Sequence, residues 1–277
     1  MERGFRNLEK QLGKNERIKS IYKVLDLLEF LSANEQETSI TEISKKLNMG
    51  LSTVHRILTT LKSRGYIIQN KQTAKYRLGI KLFELGCTVQ NTKRLVEITK
   101  PYLKQLSQST NETANLAILE GKEVIYLAKA ESSEVLTTNI KVGTILPAHC
   151  TALGKVLLAF ISDQELDILY KADEPLPSLT SKSISSLEEL KKNLKKVKEQ
   201  GCAIDREEYN VGINCFAVPV INNEGIAIMA ISITGPASRF TIDEMEKVKG
   251  QLMTISKEIS NQLQYIYKNR KEGLTNG

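Results

Sequence analysis

The sequence predicts an α+β protein made of two unlike parts, a basic helix-rich front third and a neutral remainder in which helices alternate with strands of an antiparallel sheet. Three observations carry this. Residues 1–90 hold 16 Lys or Arg against 9 Asp or Glu, and residues 91–277 hold 23 against 23, so the whole formal excess of +7 lies in front. Apolar residues in the front third recur at helical spacing. Further along, the pattern changes to period-two alternation and short apolar runs bounded by turn residues.

In the basic part, SIYKVLDLLEFLSA places Ile21, Val24, Leu28 and Leu31 on one side of an amphipathic first helix. SITE, Ser39 to Glu42, is a capping box, in which the Ser39 side chain accepts from a backbone N–H and Glu42 reaches back to Ser39. A short second helix follows with Ile43 and Leu47 inward. Asn48 suits the left-handed residue that ends it, and Met49 fills the corner before the next helix.

That third helix is LSTVHRILTTLKS. At about 100° per residue, Val54, Ile57, Leu58 and Leu61 share one face, Ser52, Arg56, Thr59 and Ser63 lie opposite, and His55 and Thr60 flank them. From Ile43 to Phe83 the chain carries nine Lys or Arg and no Asp or Glu. Short hydroxyl side chains permit close approach to base edges and phosphates, and one guanidinium can donate two parallel bonds to guanine. A helix that only met water would more often pair Glu with Lys four residues apart.

After Gly65, YIIQNKQTAKYRLG reads as two short strands around a turn at Asn70 to Thr73, edged by Lys71, Lys75 and Arg77. Helix, helix, turn, helix and basic hairpin make a winged helix-turn-helix, whose third helix enters the major groove while the hairpin follows the backbone. The expected partner is double-stranded DNA. The candidate contacts are Leu51, Ser52, Thr53, His55, Arg56 and Thr59 on the helix, with Lys71, Lys75 and Arg77 on the hairpin.

GIKLFELGCTVQNTKRLVEITKPYLKQLSQST then reads as a connecting helix with Leu82, Phe83 and Leu85 apolar, a break near Gln90 to Thr92, and the first helix of the second part. Pro101 sits inside that last pattern and implies a kink or local break. TANLAILEGKEVIYLAKA is two strands around Glu120 to Lys122, and VLTTNIKVG is a third. TALGKVLLAF is a buried helix, and SLEELKKNLKKVKEQ is amphipathic with Leu187, Leu190, Leu194 and Val197 inward. CFAVPVINNEGIAIMAISITGP gives two more strands around Asn222 to Gly225, and IDEMEKVKGQLMTISKEISNQL a closing helix. Strands before, between and after helices indicate an antiparallel sheet.

The chemistry of this part is less explicit. Ser232 and Thr234 share a strand face with Ile226, Ile228 and Ala230, as expected where a strand borders a small polar pocket. Cys215, at period two with Ala217 and Pro219, and Asp205 are candidates to join them. PAHCTALGK opens a helix near Thr151, whose first N–H groups suit a carboxylate. His149 and Cys150 adjoin, so they cannot face each other as base and nucleophile. His149, Cys150, Asp205 and Cys215 include metal-ligating types without diagnostic spacing, and ALGK lacks the long Gly-spaced turn of a phosphate loop. Neither catalysis nor a cofactor or metal is expected.

Composition sets the remaining bounds. The 277 residues, 41% of them hydrophobic, suffice for two modest cores. No apolar run approaches about 18 residues, and MERGFRNLEKQLGKNER has no apolar h-region, so no membrane span or secretory signal is expected and the location should be cytoplasmic. Cys87, Cys150, Cys202 and Cys215 are too dispersed for a disulfide framework or a paired-Cys zinc site.

The motifs LNMGLSTVHRILTTLKSRGYI, YRLGIKLFELG, PAHCTALGKVLLAF, DREEYNVGINCFAVPV and GIAIMAISITGP, in this order, resemble the IclR family of bacterial transcription factors from about Ile18 to Gln264. The resemblance implies a winged helix-turn-helix over 1–78 with an N-terminal extension, a linker helix over 79–93, a GAF-like effector-binding domain over 94–267 and a disordered tail over 268–277. It further implies binding to operator DNA as a homodimer or dimer of dimers, modulated by a small organic acid, carboxylic or sugar, and most often repression of a catabolic operon. An activator, or an oligomeric DNA-binding regulator with no small ligand, are the alternatives. By motif the ligand would meet Ala152, Leu153, Asp205, Cys215, Ser232 and Thr234. Ala152 and Leu153 stand where Gly and Ala are common in the family, and Thr234 where Ser is. A zinc-binding variant among relatives keeps His149, Cys150, Asp205 and Cys215 as metal alternatives.

Overall fold

The computed structural model describes residues 18–34, 36–88, 92–134, 140–171 and 174–274, excluding the side chains of 87, 88 and 265–274. Contacts divide the chain into two units between Lys93 and Arg94.

The first unit holds α1 (Lys19–Ala33), α2 (Ile40–Lys46), α3 (Leu51–Ser63), β1 (Ile67–Gln69), β2 (Tyr76–Leu78) and α4 (Lys81–Thr88). Its core gathers Leu27 and Leu31 of α1, Ile43 of α2, Val54, Leu58 and Leu61 of α3, and Ile67 and Tyr76 of the hairpin, with Met49 plugging the α2–α3 corner. The corner depends on Asn48 at φ 49°, a left-handed conformation that Asn tolerates better than most residues. Half of the expected capping box forms: Ser39 Oγ accepts from Glu42 N at 3.3 Å. Thr38 adds a bridge to the hairpin, its N–H donating to Tyr76 O at 2.9 Å and its carbonyl accepting from Tyr76 N at 2.8 Å.

The second unit is built on α5 (Thr92–Thr110), β3 (Thr113–Glu120), β4 (Glu123–Ala130), β5 (Ile145–Pro147), a 3₁₀ turn (Ala148–Cys150), α6 (Ala152–Leu158), α7 (Asp163–Leu169), α8 (Leu187–Gln200), β6 (Ala203–Arg206), β7 (Ile213–Ile221), β8 (Ala227–Pro236) and α9 (Ile242–Leu274). The six strands form one sheet in the order β5-β4-β3-β8-β7-β6, antiparallel at every pairing. One face packs under α6, α7 and α8, and the other against α5 and α9.

Five expectations meet a different outcome or lie partly outside the described residues. α5 runs unbroken through Pro101. An interior proline costs about 3 kcal/mol, but the buried stripe of Leu95, Leu103 and Leu106 recovers about 1.5–3 kcal/mol per side chain. VLTTNIKVG is not a strand where it is described: residues 135–139 lie outside the described residues, 141–144 form a turn with Gly143 at φ 85°, and the strand forms later, at Ile145–Pro147. β6 and α7 had no counterpart in the periodicity, being only four and seven residues long; α7 carries a complete Ser162–Glu165 capping box that names its start. The break expected at Gln90 to Thr92 falls partly on residues 89–91, outside the described residues, and Thr92 already begins α5. Helical backbone of α9 extends into the segment expected to be a disordered tail, of which 275–277 lie outside the described residues. Among the described residues no helix is long and apolar enough to cross a membrane.

Candidate functional site

Two surfaces carry the predicted site residues, one in each unit. On α3 the helical period is realised as read: Val54, Leu58 and Leu61 are buried, and Leu51, Ser52, His55, Arg56 and Thr59 are exposed, with Thr53 half-buried. Two neighbouring hydroxyls are turned back onto the helix, Thr60 Oγ1 to Arg56 O at 2.9 Å and Ser63 Oγ to Thr60 O at 2.8 Å. The outward polar groups are therefore those of Ser52, His55, Arg56 and Thr59.

Lys71 and Lys75 are exposed at the tip of the hairpin. The turn is held by Asn70, whose Oδ1 accepts from Gln72 N at 2.9 Å and Thr73 N at 3.3 Å. Arg77 differs from the other two cations. Glu37 reaches in from outside the acid-free window, its carboxylate 3.6 Å from Arg77 Nε, and accepts from Asn70 Nδ2 at 2.8 Å and Thr73 Oγ1 at 3.2 Å. A carboxylate thus stands against the turn of the basic hairpin, where the reading of the sequence placed none, and it anchors that turn.

In the second unit the strand register assembles a polar patch. Asp205 of β6 pairs with Cys215 of β7, Cys215 with Thr234 of β8, and Thr234 with Thr113 of β3. In the neighbouring row Ala217 faces Ser232, and Ser232 faces Asn115. Residues two apart share a strand face, so Asp205, Cys215, Ser232, Thr234 and Asn115 lie on the side that packs under α6. All five are buried. Thr234 Oγ1 donates to Cys215 Sγ at 3.1 Å. Asn115 Nδ2 donates to Thr234 Oγ1 at 3.1 Å and Ser232 Oγ at 3.3 Å. Asn115 Oδ1 is buried with no partner. Burial pushes the Cys215 thiol up to about 12, leaving it neutral.

Ala152 and Leu153, both fully buried, form the first turn of α6 in the same apolar cluster as Cys215, Ala217 and Ala230. Thr151 caps that turn by accepting from Gly154 N at 3.2 Å. Gly154 is required by close approach, since a Cβ there would overlap the backbone of Ala148. All six residues named for the ligand are thus in one packed region.

Asp205 has its own frame. Its Oδ1 accepts from Glu208 N at 2.7 Å and Tyr209 N at 3.4 Å. Burial nevertheless lifts its carboxyl to about 7, because loss of water outweighs those two hydrogen bonds. Behind it Lys155 of α6 is ion-paired with Glu208 and donates to Ile204 O at 2.6 Å. Burial raises the Glu208 carboxyl more than the adjacent ammonium lowers it. Tyr126 of β4 is buried in the same cluster, its phenol pushed well up, chiefly by burial.

The four metal-ligating candidates are not gathered. The His149 Nε2 contacts Pro177 O at 2.9 Å, and its burial lowers the imidazole's affinity for a proton. Cys150 Sγ is turned to Pro147 O, and its thiol is pushed up to about 12 by burial. Among the described residues no group of three or more His, Cys, Asp and Glu is placed to hold a metal ion.

The sequence reading missed Asn115, Tyr126, Lys155 and Glu208. Two signals for them exist. Asn115 is the amide in an otherwise apolar alternation, and Lys155 is the sole charge in TALGKVLLAF; a lone polar group with apolar neighbours on both sides is a buried group with a partner.

A helix-turn-helix with a basic hairpin, followed by a closed α+β unit with a buried polar patch, defines a DNA-binding regulator. The chain belongs to the IclR family of bacterial transcriptional regulators. Residues 20–71 match the IclR helix-turn-helix domain, and residues 87–261 match the bacterial transcriptional regulator IclR C-terminal domain. The chain is 36% identical over 248 residues to the HTH-type transcriptional regulator XynR of Escherichia coli, covering 90% of this chain and 98% of that one. It is 30% identical over 237 residues to the HTH-type transcriptional repressor AllR of Salmonella typhi, covering 86% and 87%. The Thermotoga maritima IclR crystal structure superposes with a TM-score of 0.75 at 30% identity, covering 90% of this chain and all of that one. The protein is therefore a regulator of transcription and not an enzyme.

Proposed function

We propose that this regulator is a repressor whose grip on operator DNA is set by a small organic acid, carboxylic or sugar, bound on the sheet face under α6. Ser52, His55, Arg56 and Thr59 of α3 would meet base edges and phosphates, joined by Leu51 and Thr53, while Lys71, Lys75 and Arg77 follow the backbone. The observation that carries the ligand reading is Asn115 Oδ1, a buried acceptor without a partner beside Ser232, Thr234, Cys215 and Asp205. A protein interior seldom leaves such an atom unpaired, so a ligand hydroxyl or carboxylic acid that donates to it is its natural complement. Ala152 and Leu153 roof the patch, and an Asp205 that is neutral below about 7 admits an acid beside it without like-charge repulsion. The repressor assignment follows AllR's name.

Operator reading needs two copies. Half-sites one helical turn apart, about 34 Å, call for a homodimer. α1 leaves Ile21 and Leu25 exposed, as is Ile18 just before it, and the α4 region leaves Ile80, Phe83 and Leu85 exposed. These apolar faces suit a second copy, and a dimer of dimers would extend the same logic. An acid that prefers one spacing of the two DNA-binding units shifts operator affinity by its differential binding to the two states. A regulator acting on chromosomal DNA works in the cytoplasm, and the genes it controls would be those of a catabolic operon.

The test pairs gel shift on fragments upstream of neighbouring operons with calorimetry on a panel of small carboxylic and sugar acids. The expected outcome is a specific complex that one acid weakens. A complex indifferent to every acid would leave a regulator without a ligand, acid-dependent tightening would indicate a co-repressing acid or an activator, and no complex at all would refute the reading.

A further inference from the structure

Between α7 and α8, residues 176–185 form a strap that is braced within itself. Leu176 N donates to Ser185 O at 2.9 Å, and Ser183 Oγ accepts from Leu179 N at 3.0 Å and Thr180 N at 2.9 Å. Pro177 O meets His149 Nε2 at 2.9 Å.

Two hydroxyls of the strap reach the turn that frames Asp205. Thr180 Oγ1 donates to Glu207 O at 2.7 Å, with Glu208 O farther off at 3.2 Å, and Ser183 Oγ donates to Glu208 O at 2.6 Å. The amide in the first of these two peptide units is Glu208 N, which donates to Asp205 Oδ1 at 2.7 Å. The amide in the second is Tyr209 N, which reaches the same oxygen at 3.4 Å. Each peptide is thus a relay, entered by a hydroxyl at its carbonyl and left by its amide toward the carboxyl. Hydrogen bonds in such a chain polarise one another, each strengthening by about 10–30%. The backbone that carries the relay is not a relaxed one. Glu207 has φ 59°, a left-handed conformation that a residue with a side chain keeps only where its surroundings over-determine it. Lys182 of the strap adds a third tie, its Nζ 2.5 Å from Glu207 Oε1.

We propose that Thr180 and Ser183 are positioning residues for Asp205, fixing through two peptide units the carboxyl offered to the acid under α6. The consequence for the acid rests on the reading of Asp205 as a ligand residue; the relay itself does not. Facing Asp205 are Glu208 from its own segment, Lys155 of α6, Cys215 of β7, Tyr126 of β4 and Cys150 of the 3₁₀ turn. None of these lies on the strap, so the strap acts on the carboxyl through the backbone. Amide donation favours the ionised carboxyl. Loss of a strap hydroxyl weakens that donation and so favours the protonated form.

NMR titration of the Asp205 carboxyl carbon in the full-length protein tests this. Thr180→Val keeps the side chain's shape and loses its donor; its Asp205 midpoint should lie about 0.5 pH unit above the parent's, while Thr180→Ser, which keeps the donor, should stay within about 0.1. The Glu208 amide proton should move upfield in Thr180→Val alone. Ser183→Ala should raise the midpoint by less, because the amide it supports stands farther from the carboxyl. A purely structural Thr180 would lower the urea midpoint of unfolding and leave the titration in place. An unchanged or lowered titration midpoint in both Thr180→Val and Ser183→Ala, or an equal rise in Thr180→Ser, would overturn the proposal. Calorimetry with pyruvate and D-gluconate over the same pH range tests the consequence for the acid. Where either binds, the pH at which its affinity falls should rise with the Asp205 midpoint in Thr180→Val, and a fall at the parent's pH would overturn that consequence. Binding of neither would count against the acid reading alone, while the titration still decides the relay.

Discussion

Lys155 and Glu208 form an ion pair in the interior of the second unit, with side chains only 1% and 12% exposed. The pair joins α6 to the segment after β6, and Ile204 O takes a further hydrogen bond from the same ammonium at 2.6 Å. Removing one partner strands a buried charge. Lys155→Met should therefore cost about 3–5 kcal/mol, and Glu208→Gln a similar amount. The double variant Lys155→Met, Glu208→Leu should recover most of that loss, since a well-packed apolar pair replaces a desolvated ionic one. Urea unfolding of the three variants checks this; additive losses would refute it.

Asp205 should make stability depend on pH. Its folded value of about 7 stands above the roughly 3.9 of an unfolded chain. Between those values the folded state keeps a proton that the unfolded state has released, so the group's contribution is full below about pH 4 and declines as pH rises to about 7. Asp205→Asn keeps the acceptor for Glu208 N and Tyr209 N but abolishes the titration. Relative to the parent protein it should gain stability from about pH 5 to about pH 8, read as a shift in urea midpoint. A constant difference across that range would show that Asp205 is already ionised in the folded state.

The same titration should govern the ligand. An anionic acid bound beside Asp205 should lose affinity as pH rises through about 7, and Asp205→Asn should flatten that dependence. Calorimetry at a series of pH values on both proteins reads the effect directly.

Arg56 should separate specific from general DNA binding. It is exposed on α3 and forms no part of the core, so Arg56→Ala should fold normally. Loss of a bidentate contact to guanine removes about 1–3 kcal/mol of discrimination, roughly fivefold to 150-fold. With about six phosphate contacts per basic module and two modules on one operator, the log–log salt slope should be about −11, and Lys71→Ala or Lys75→Ala, each removing one contact per copy, should reduce its magnitude by about 1.8. Retained footprinting by Arg56→Ala would contradict the proposed docking.

Glu37 should act through the hairpin it anchors. Glu37→Ala removes the acceptor for Asn70 and Thr73 and the partner of Arg77. The hairpin amides should then exchange faster by hydrogen–deuterium exchange while α3 stays protected. If the Glu37 carboxylate served only to repel phosphate, its removal would tighten DNA binding and leave exchange unchanged.

The helices of the first unit were legible because each is an amphipathic segment whose partners lie within a few dozen residues. Period alone separated Val54, Leu58 and Leu61 from Ser52, Arg56 and Thr59, and the hairpin followed from its turn residues. The four-residue β6 and three-residue β5 were not legible, since so few residues cannot display a period. Asp205, Cys215, Ser232 and Thr234 were named from strand alternation and family motifs. Asn115 was passed over because its partners stand 117 and 119 residues away in sequence.

Composition and local pattern by themselves determined the two-part architecture, the segregation of positive charge into the DNA-facing unit and the inward and outward faces of most helices, because these are short-range properties. Tertiary structure alone decided that Asp205 stands opposite Cys215, that Lys155 is paired with Glu208, and that Glu37 enters an otherwise acid-free surface. Strand register and packing bring together groups distant along the chain, and it is their shared burial, not their identity, that raises an aspartic acid to about 7 and leaves an asparagine oxygen waiting for a donor.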